Sequence, residues 1–297
     1  MLNTDLLGTV LMFLSLFGVL ANWSVIFIIR KLPLFNTSFG ILTASQSIGD
    51  GIHSLMFLLY VSPMVIMDSD WMSEYSTHCG AILIFCYNIS ILSHFLISCN
   101  RLIAVYSPMQ YNKMFNRHNT YVASFVVFLI SLLSVLLLYI ASCRFSYALL
   151  EYRFTYNADT TCIKISYYFG FCKYVTVIVV IVIIDMFTIL KVKRERKRTN
   201  TQSNEKTARE NSFLRQILFQ GAIFVIELVV CFIISPMFQS DLFHFFASLI
   251  AWCFVHASDG VVTLYCNIEF RNNVKKRMNL ISETAQPYPI FTSTVKT

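Results

Sequence analysis

The chain has 297 residues, 56% of them hydrophobic, 15% aromatic and only 13% charged, with a formal net charge of +7. A soluble domain carries roughly a quarter charged residues, so this chain has too little polar surface to cover a water-exposed globule. Its basic residues flank apolar stretches, which points to cytoplasmic retention and anionic membrane lipid as partners, and not to nucleic acid.

Apolar stretches run over 6–29, 39–62, 81–105, 121–142, 166–190, 217–234 and 245–266. Each is about twenty residues or more, enough to cross a ~30 Å hydrocarbon layer as a helix. They lack the alternation of barrel strands, and open strands leave backbone groups unsatisfied in lipid. The sequence therefore predicts an all-α membrane protein, a seven-transmembrane helix bundle. Residues 1–5 precede it, and 267–297 form a short amphipathic segment and a tail. No small-residue cleavage site follows a short apolar core, so the first span reads as a retained signal-anchor.

The gaps between spans alternate in charge. Arg30 and Lys31 follow the first span, Arg101, Lys113 and Arg117 the third, and a dense run from Lys191 to Arg215 the fifth. Arg271, Lys275, Lys276 and Arg277 follow the seventh. The gap after the second span holds Asp68, Asp70 and Glu74 without Lys or Arg, and that after the fourth only Arg144, Arg153 and Lys164. The positive-inside rule then puts the N-terminus outside and the C-terminus inside. The long basic gap reads either as a solvated helix extension with a loop or as a docking surface.

Polar groups inside the spans fall into stripes. Thr43, Gln46, Asp50 and His53 share one face of the second span, and Ser248, Trp252, His256, Asp259 and Thr263 one face of the seventh. Asn22 and Ser90 lie at comparable depth in the first and third spans. The stripes predict helices facing each other across a hydrated interior. Asn22 fits interhelical hydrogen bonding. Asp50 and Asp259 fit a polar switch, because a carboxylate is a costly way merely to join helices. Lys173 either snorkels to the interface or meets a ligand. Asp185 stands within reach of the basic end of another helix, and Glu227 has no partner evident in the sequence. Tyr87, Tyr167, Tyr168, Lys173 and Trp252 are candidates for a ligand pocket in the outer half, with plain packing as the alternative for the aromatics.

His53, His78, His94, His118, His244 and His256 form no metal-ligating cluster, which argues against a membrane hydrolase or desaturase. No metal or other cofactor is implied. The seventh span holds no lysine for a retinal Schiff base. A transporter or channel is the alternative to a receptor, but no internal repeat or broken-helix pair supports it. Cys79, Cys143 and Cys162 lie in or next to outward-facing segments, where disulfides persist. A bond between Cys79 and Cys162 would pin the long outer loop over the bundle mouth and leave Cys143 over.

The inner end of the third span reads Asn100-Arg101-Leu102, then Tyr106-Ser107-Pro108. This resembles the Asp-Arg-Tyr region of rhodopsin-like G-protein-coupled receptors. Gly18 with Asn22, Pro236, the pair Cys79 and Cys162, and Asp259-Gly260-Val261-Val262-Thr263 followed by Phe270 are similar to further family landmarks. The run Ser38 to Gln46, with Asn100-Arg101 and Asp259-Gly260, resembles the nematode serpentine chemoreceptors of class X. The resemblance implies a receptor for a small-molecule ligand that activates a heterotrimeric G protein, in the plasma membrane and at a sensory-neuron cilium. It also implies coupling through Arg101, flanked by Asn100, Leu102, Tyr106 and Pro108, a hinge at Pro236, and the Cys79–Cys162 disulfide. The chain departs from the wider family in several places. Asn100 replaces the acidic neighbour of the arginine, Gln216 stands where a resting-state glutamate often sits, and Cys79 lies about one turn too close to Arg101. With both resting restraints missing, appreciable basal activity is expected.

Overall fold

The computed structural model describes residues 3–31, 36–149, 151–198, 204–238, 240–268 and 270–272, with only the backbone at 198, 204–210, 213 and 236. Most of the expected tail, 273–297, therefore lies outside the described residues. Seven helices among the described residues are long and apolar enough to cross a membrane. They are α1 (Thr4–Lys31), α2 (Ser38–Met67), α3 (Ser76–Tyr106), α4 (Arg117–Ile140), α5 (Thr160–Lys197), α6 (Leu214–Ile234) and α7 (Asp241–Cys266). Each expected apolar stretch overlaps one of them, with α4 ending at Ile140, two residues short of the expected 142.

Local sequence sets several helix starts. Thr37 Oγ1 accepts the Gly40 amide at 3.1 Å ahead of α2, and Asn116 Oδ1 accepts the Asn119 amide at 2.8 Å ahead of α4. Both satisfy amides that a helix start leaves without an intrahelical partner. Pro108 opens the short helix Pro108–Met114, where its missing N–H costs nothing.

The dressing of the bundle is the reverse of a water-soluble protein's. Phe13, Leu133 and Ile226 are 68%, 56% and 60% exposed, whereas Asn22, Asp50, His53, Ser90 and His256 are completely buried. Apolar side chains turned outward suit lipid, and polar ones turned inward must find partners on other helices. α3 packs against α2, α4 and α5, while α7 packs against α1, α2 and α6. The α1–α7 approach depends on Gly260, where an added Cβ would stand 2.7 Å from Asn22 Oδ1.

One end of the bundle, the basic end, carries the α3–α4 turn and the start of the α5–α6 connection. The other, the loop end, carries the α2–α3, α4–α5 and α6–α7 connections. The loop-end halves of α2, α5, α6 and α7 each contain a π-helical stretch: Phe57–Val61, Ser166–Cys172, Val229–Ile234 and Phe246–Ile250. Such widened turns recur at functional sites. Pro236 lies in the 3-10 turn Ser235–Met237 that closes α6. It stands just past the last turn of α6, so a hinge at Pro236 would act at the loop end of that helix.

The α4–α5 connection folds into a hairpin, an element with no counterpart among those expected from the sequence. Strand β1 (Phe145–Ala148) pairs antiparallel with β2 (Arg153–Tyr156), in the register Phe145↔Tyr156 and Ala148↔Arg153. Tyr147 and Phe154 point into a buried cluster with Phe57, Leu83, Phe245 and Leu249. Ser76 Oγ accepts the Tyr147 amide at 2.8 Å, and Ser73 Oγ donates to the Tyr147 carbonyl at 3.0 Å. A Cβ at Gly80 would clash with the Phe145 carbonyl, so α3 can receive the hairpin only with glycine there.

The disulfide differs from the expected one. Cys143 bonds Cys162, with Cα atoms 5.2 Å apart, and Cys79 is a free, buried thiol packed among the apolar residues beneath the hairpin. The cause is the hairpin itself. It folds the chain straight back, so that the end of α4 lies beside the start of α5, while Cys79 of α3 faces the apolar cluster under the hairpin.

Candidate functional site

Two regions of polar side chains occupy the bundle, and a cavity opens above them at the loop end. The cavity, about 410 Å³, lies between α3, α5, α6, α7 and the hairpin. Tyr87, Tyr174, Glu227 and Trp252 line it, with Phe154 and Tyr156 contributed by β2. Tyr87 Oη donates to Glu227 Oε2 at 3.4 Å and stands edge-on to Tyr174 and Trp252, with ring centroids 4.6 and 6.1 Å away. In the hairpin wall, burial pushes the Tyr156 phenol up to about 12, which keeps it a neutral donor.

Of the pocket candidates, Tyr87 and Trp252 line this cavity. Tyr167 and Tyr168 do not: they are 53% and 62% exposed on the outer side of the α5 π-stretch. Lys173 turns into a separate, neighbouring cavity, where its Nζ donates to Asn88 Oδ1 at 2.8 Å and stands over the Tyr174 ring. The helical period turns these three side chains away from the chamber that Tyr174 and Gly170 face. Glu227, left without a role in the sequence, is the acid of the chamber.

Below Trp252 the α2 and α7 stripes meet. His53 stands edge-on to the Trp252 ring at 4.9 Å and tilted against His256 at 3.8 Å. His256 Nδ1 and Asp50 Oδ1 are 2.6 Å apart, with Ser90 of α3 beside Asp50. Asn22 Nδ2 donates to the His256 carbonyl at 2.9 Å, tying α1 to the same turn of α7. One turn further, Gln46 Nε2 donates to Asp259 Oδ2 at 2.9 Å. Thr263 Oγ1 then accepts from Gln216 and Gln220 of α6 at 3.4 and 3.5 Å. The residues expected in a polar network are thus brought together, and Gln216 and Gln220 extend it to α6. His53 was recognisable by its helical spacing and Gln216 by its place before Pro236, whereas nothing in the sequence singled out Gln220.

At the basic end Arg101 is only 2% exposed, and its guanidinium lies over the Phe39 ring at 5.6 Å. Asp185 of α5, itself 4% exposed, provides the opposite charge and interacts with it electrostatically. The preceding residue, Asn100, supplies no acid, as expected, and the opposite charge acting on Arg101 comes from Asp185 of α5. Asn100 instead donates to Tyr111 Oη at 3.2 Å. Tyr106 Oη donates to the Phe187 carbonyl of α5 at 3.3 Å, while Leu102 is half-buried and Pro108 exposed. Phe270, just past α7, is buried against Val25 and Ile29. Among the described residues no group of His, Cys, Asp and Glu is arranged to hold a metal.

Apolar helices around a connected polar interior define a polytopic membrane protein of the seven-helix class. The family described as serpentine type 7TM GPCR chemoreceptor Srx matches residues 12–267, and the chain belongs to that family. It is 30% identical over 293 residues to serpentine receptor class X 45 of Caenorhabditis elegans, covering 91% of this chain and 81% of that protein. It is also 23% identical over 282 residues to serpentine receptor class X-43 of Caenorhabditis elegans, covering 93% and 88% of the two chains. The family is one of receptors and not a class of enzymes.

Proposed function

We propose that this protein is a chemosensory receptor that binds a small molecule in the loop-end cavity and activates a heterotrimeric G protein at the basic end. In this reading the N-terminus is outside, the C-terminus inside, and the receptor acts in the plasma membrane, by family resemblance at a sensory cilium. The alternating charge of the connections supports the orientation.

One observation carries the reading. A polar column runs from the cavity floor at Trp252 through His53, His256 and Asp50 to Gln46 and Asp259, and on to α6 at Thr263. A ligand pressing on Trp252 thereby acts on the contacts that hold α7 to α2 and α6. Their rearrangement lets α6 move relative to α3 and α5 and uncovers Arg101. The ligand shifts this equilibrium only by its difference in affinity for the two arrangements.

The test is a ligand screen in cells reporting G-protein activation, with Arg101→Ala as control. The variant should reach the surface and fail to signal. A variant that responds like the parent would remove Arg101 from the coupling role.

A further inference from the structure

The loop-end cavity contains a charge problem. Glu227 is its single acid among the described lining residues, and it is 6% exposed. The single base in the lining is Arg153, on the hairpin rim, and Glu151 already pairs with it at 2.6 Å. Among the described residues no Lys, Arg or His forms an ion pair with Glu227. It accepts instead from the Tyr87 hydroxyl, and the Tyr87 ring meets those of Tyr174 and Trp252 in the same cavity lining.

A carboxylate in such a place is poorly solvated, and a cation arriving in the cavity supplies what water and protein do not. Aromatic faces around the acid add attraction for a cation and none for an anion. Tyr87 holds the carboxylate from one side, leaving the remaining approach through the chamber. At about 410 Å³ the chamber accepts a small organic molecule and excludes a folded peptide.

We propose that the loop-end cavity recognises a small organic amine in its ammonium form, with Glu227 as counter-ion and Tyr87, Tyr174 and Trp252 as the aromatic walls around the charge. This rests on the reading that the cavity is the ligand site, and it names the ligand class and the residue that selects it. The apolar part of the amine lies against Phe154 of the hairpin and Phe232 of α6, both in the lining. A neutral ligand of the same shape gains only the apolar contacts, and a carboxylic acid meets repulsion.

The test uses the full chain in lipid nanodiscs without G protein, so that a failure of coupling does not affect it. Thermal melting is followed against matched pairs: 2-phenylethylamine with 2-phenylethanol, hexylamine with hexan-1-ol, and cyclohexylmethylamine with cyclohexylmethanol. In the parent at least one amine should bind about tenfold or more tightly than its own alcohol, the scale of a charged hydrogen bond. Glu227→Gln should erase that preference while leaving alcohol binding in place. Trp252→Ala, which keeps the acid and removes an aromatic wall, should weaken the amine more than the alcohol and serves if Glu227→Gln does not fold. Equal binding of amine and alcohol in every pair, no binding by any amine, or an undiminished preference in Glu227→Gln overturns the proposal. Alcohol binding that is lost in Trp252→Ala with no amine preference would keep the cavity as the ligand site and overturn the charge assignment alone.

Discussion

The Asp50 carboxylate of α2 and the His256 imidazole of α7 meet at 2.6 Å, both completely enclosed by the bundle. Neither helix can rotate or slide past the other without separating them in an interior that offers no bulk water. Removing one partner leaves the other buried without its hydrogen bond, which costs about 1–3 kcal/mol. Asp50→Ala should therefore lower the melting temperature of the purified protein clearly. Asp50→Asn, which keeps an oxygen and adds an amide, should lower it less. Equal melting of the two variants and the parent would show that the pair does not hold α2 to α7.

The disulfide gives a covalent prediction. A non-reducing peptide map should link Cys143 to Cys162 and find Cys79 as a thiol. With a sequence separation of 19, loss of the bond should cost about 3 kcal/mol of stability by the loop-entropy argument. Cys143→Ser and Cys162→Ser should melt alike, and Cys79→Ser should not reproduce their loss. A peptide joining Cys79 to Cys162 would refute the hairpin arrangement.

Close approach of α1 and α7 at Gly260 predicts intolerance to size. Gly260→Val should drive a side chain into Asn22 and destabilise by about 1–3 kcal/mol, the usual scale of overpacking. Surface delivery of the variant, read by an epitope tag on live cells, should fall. Delivery equal to the parent would mean that α1 and α7 lie further apart than described.

The helix count and the two polar stripes were legible because both are periodic. Apolar runs long enough for a bilayer need no tertiary information, and Gln46, Asp50 and His53 declare a face by spacing alone. The partner of each stripe was legible too, since His256 and Asp259 repeat on the same period. What failed depended on connections. Cys79, Cys143 and Cys162 all sit near one end, and only the Phe145–Tyr156 hairpin decides which two meet; the unusual closeness of Cys79 to Arg101 was the signal against it. Tyr167 and Tyr168 were separated from Tyr174 only by the direction each faces on α5. Glu227 acquired a setting only when α3, α5 and α7 enclosed it. Asp185 is legible as standing near the basic end of another helix, but which helix, α3 with Arg101, is set by packing between residues far apart along the chain.

Under the proposed function, the charge of Asp185 acting on Arg101 restrains the resting state. Tyr106 of α3 bonds the Phe187 carbonyl two residues beyond Asp185, which ties α3 to α5 beside that pair of charges. Tyr106→Phe removes one neutral hydrogen bond, worth about 0.5–1.5 kcal/mol. It should raise ligand-free signalling modestly, up to roughly tenfold if the bond is fully lost on activation. Ligand-free signalling at the parental level would remove Tyr106 from the restraint.

The most direct test needs no ligand: G-protein activation is measured in reporter cells for the parent, Asp185→Asn, Arg101→Ala and the double variant at matched surface density. Releasing Arg101 from its α5 counter-charge should raise basal signalling in Asp185→Asn, and adding Arg101→Ala should abolish that rise. Unchanged signalling in Asp185→Asn, or a rise that persists without the arginine, would contradict the account in which Arg101 is held at rest by Asp185 and released to meet the G protein.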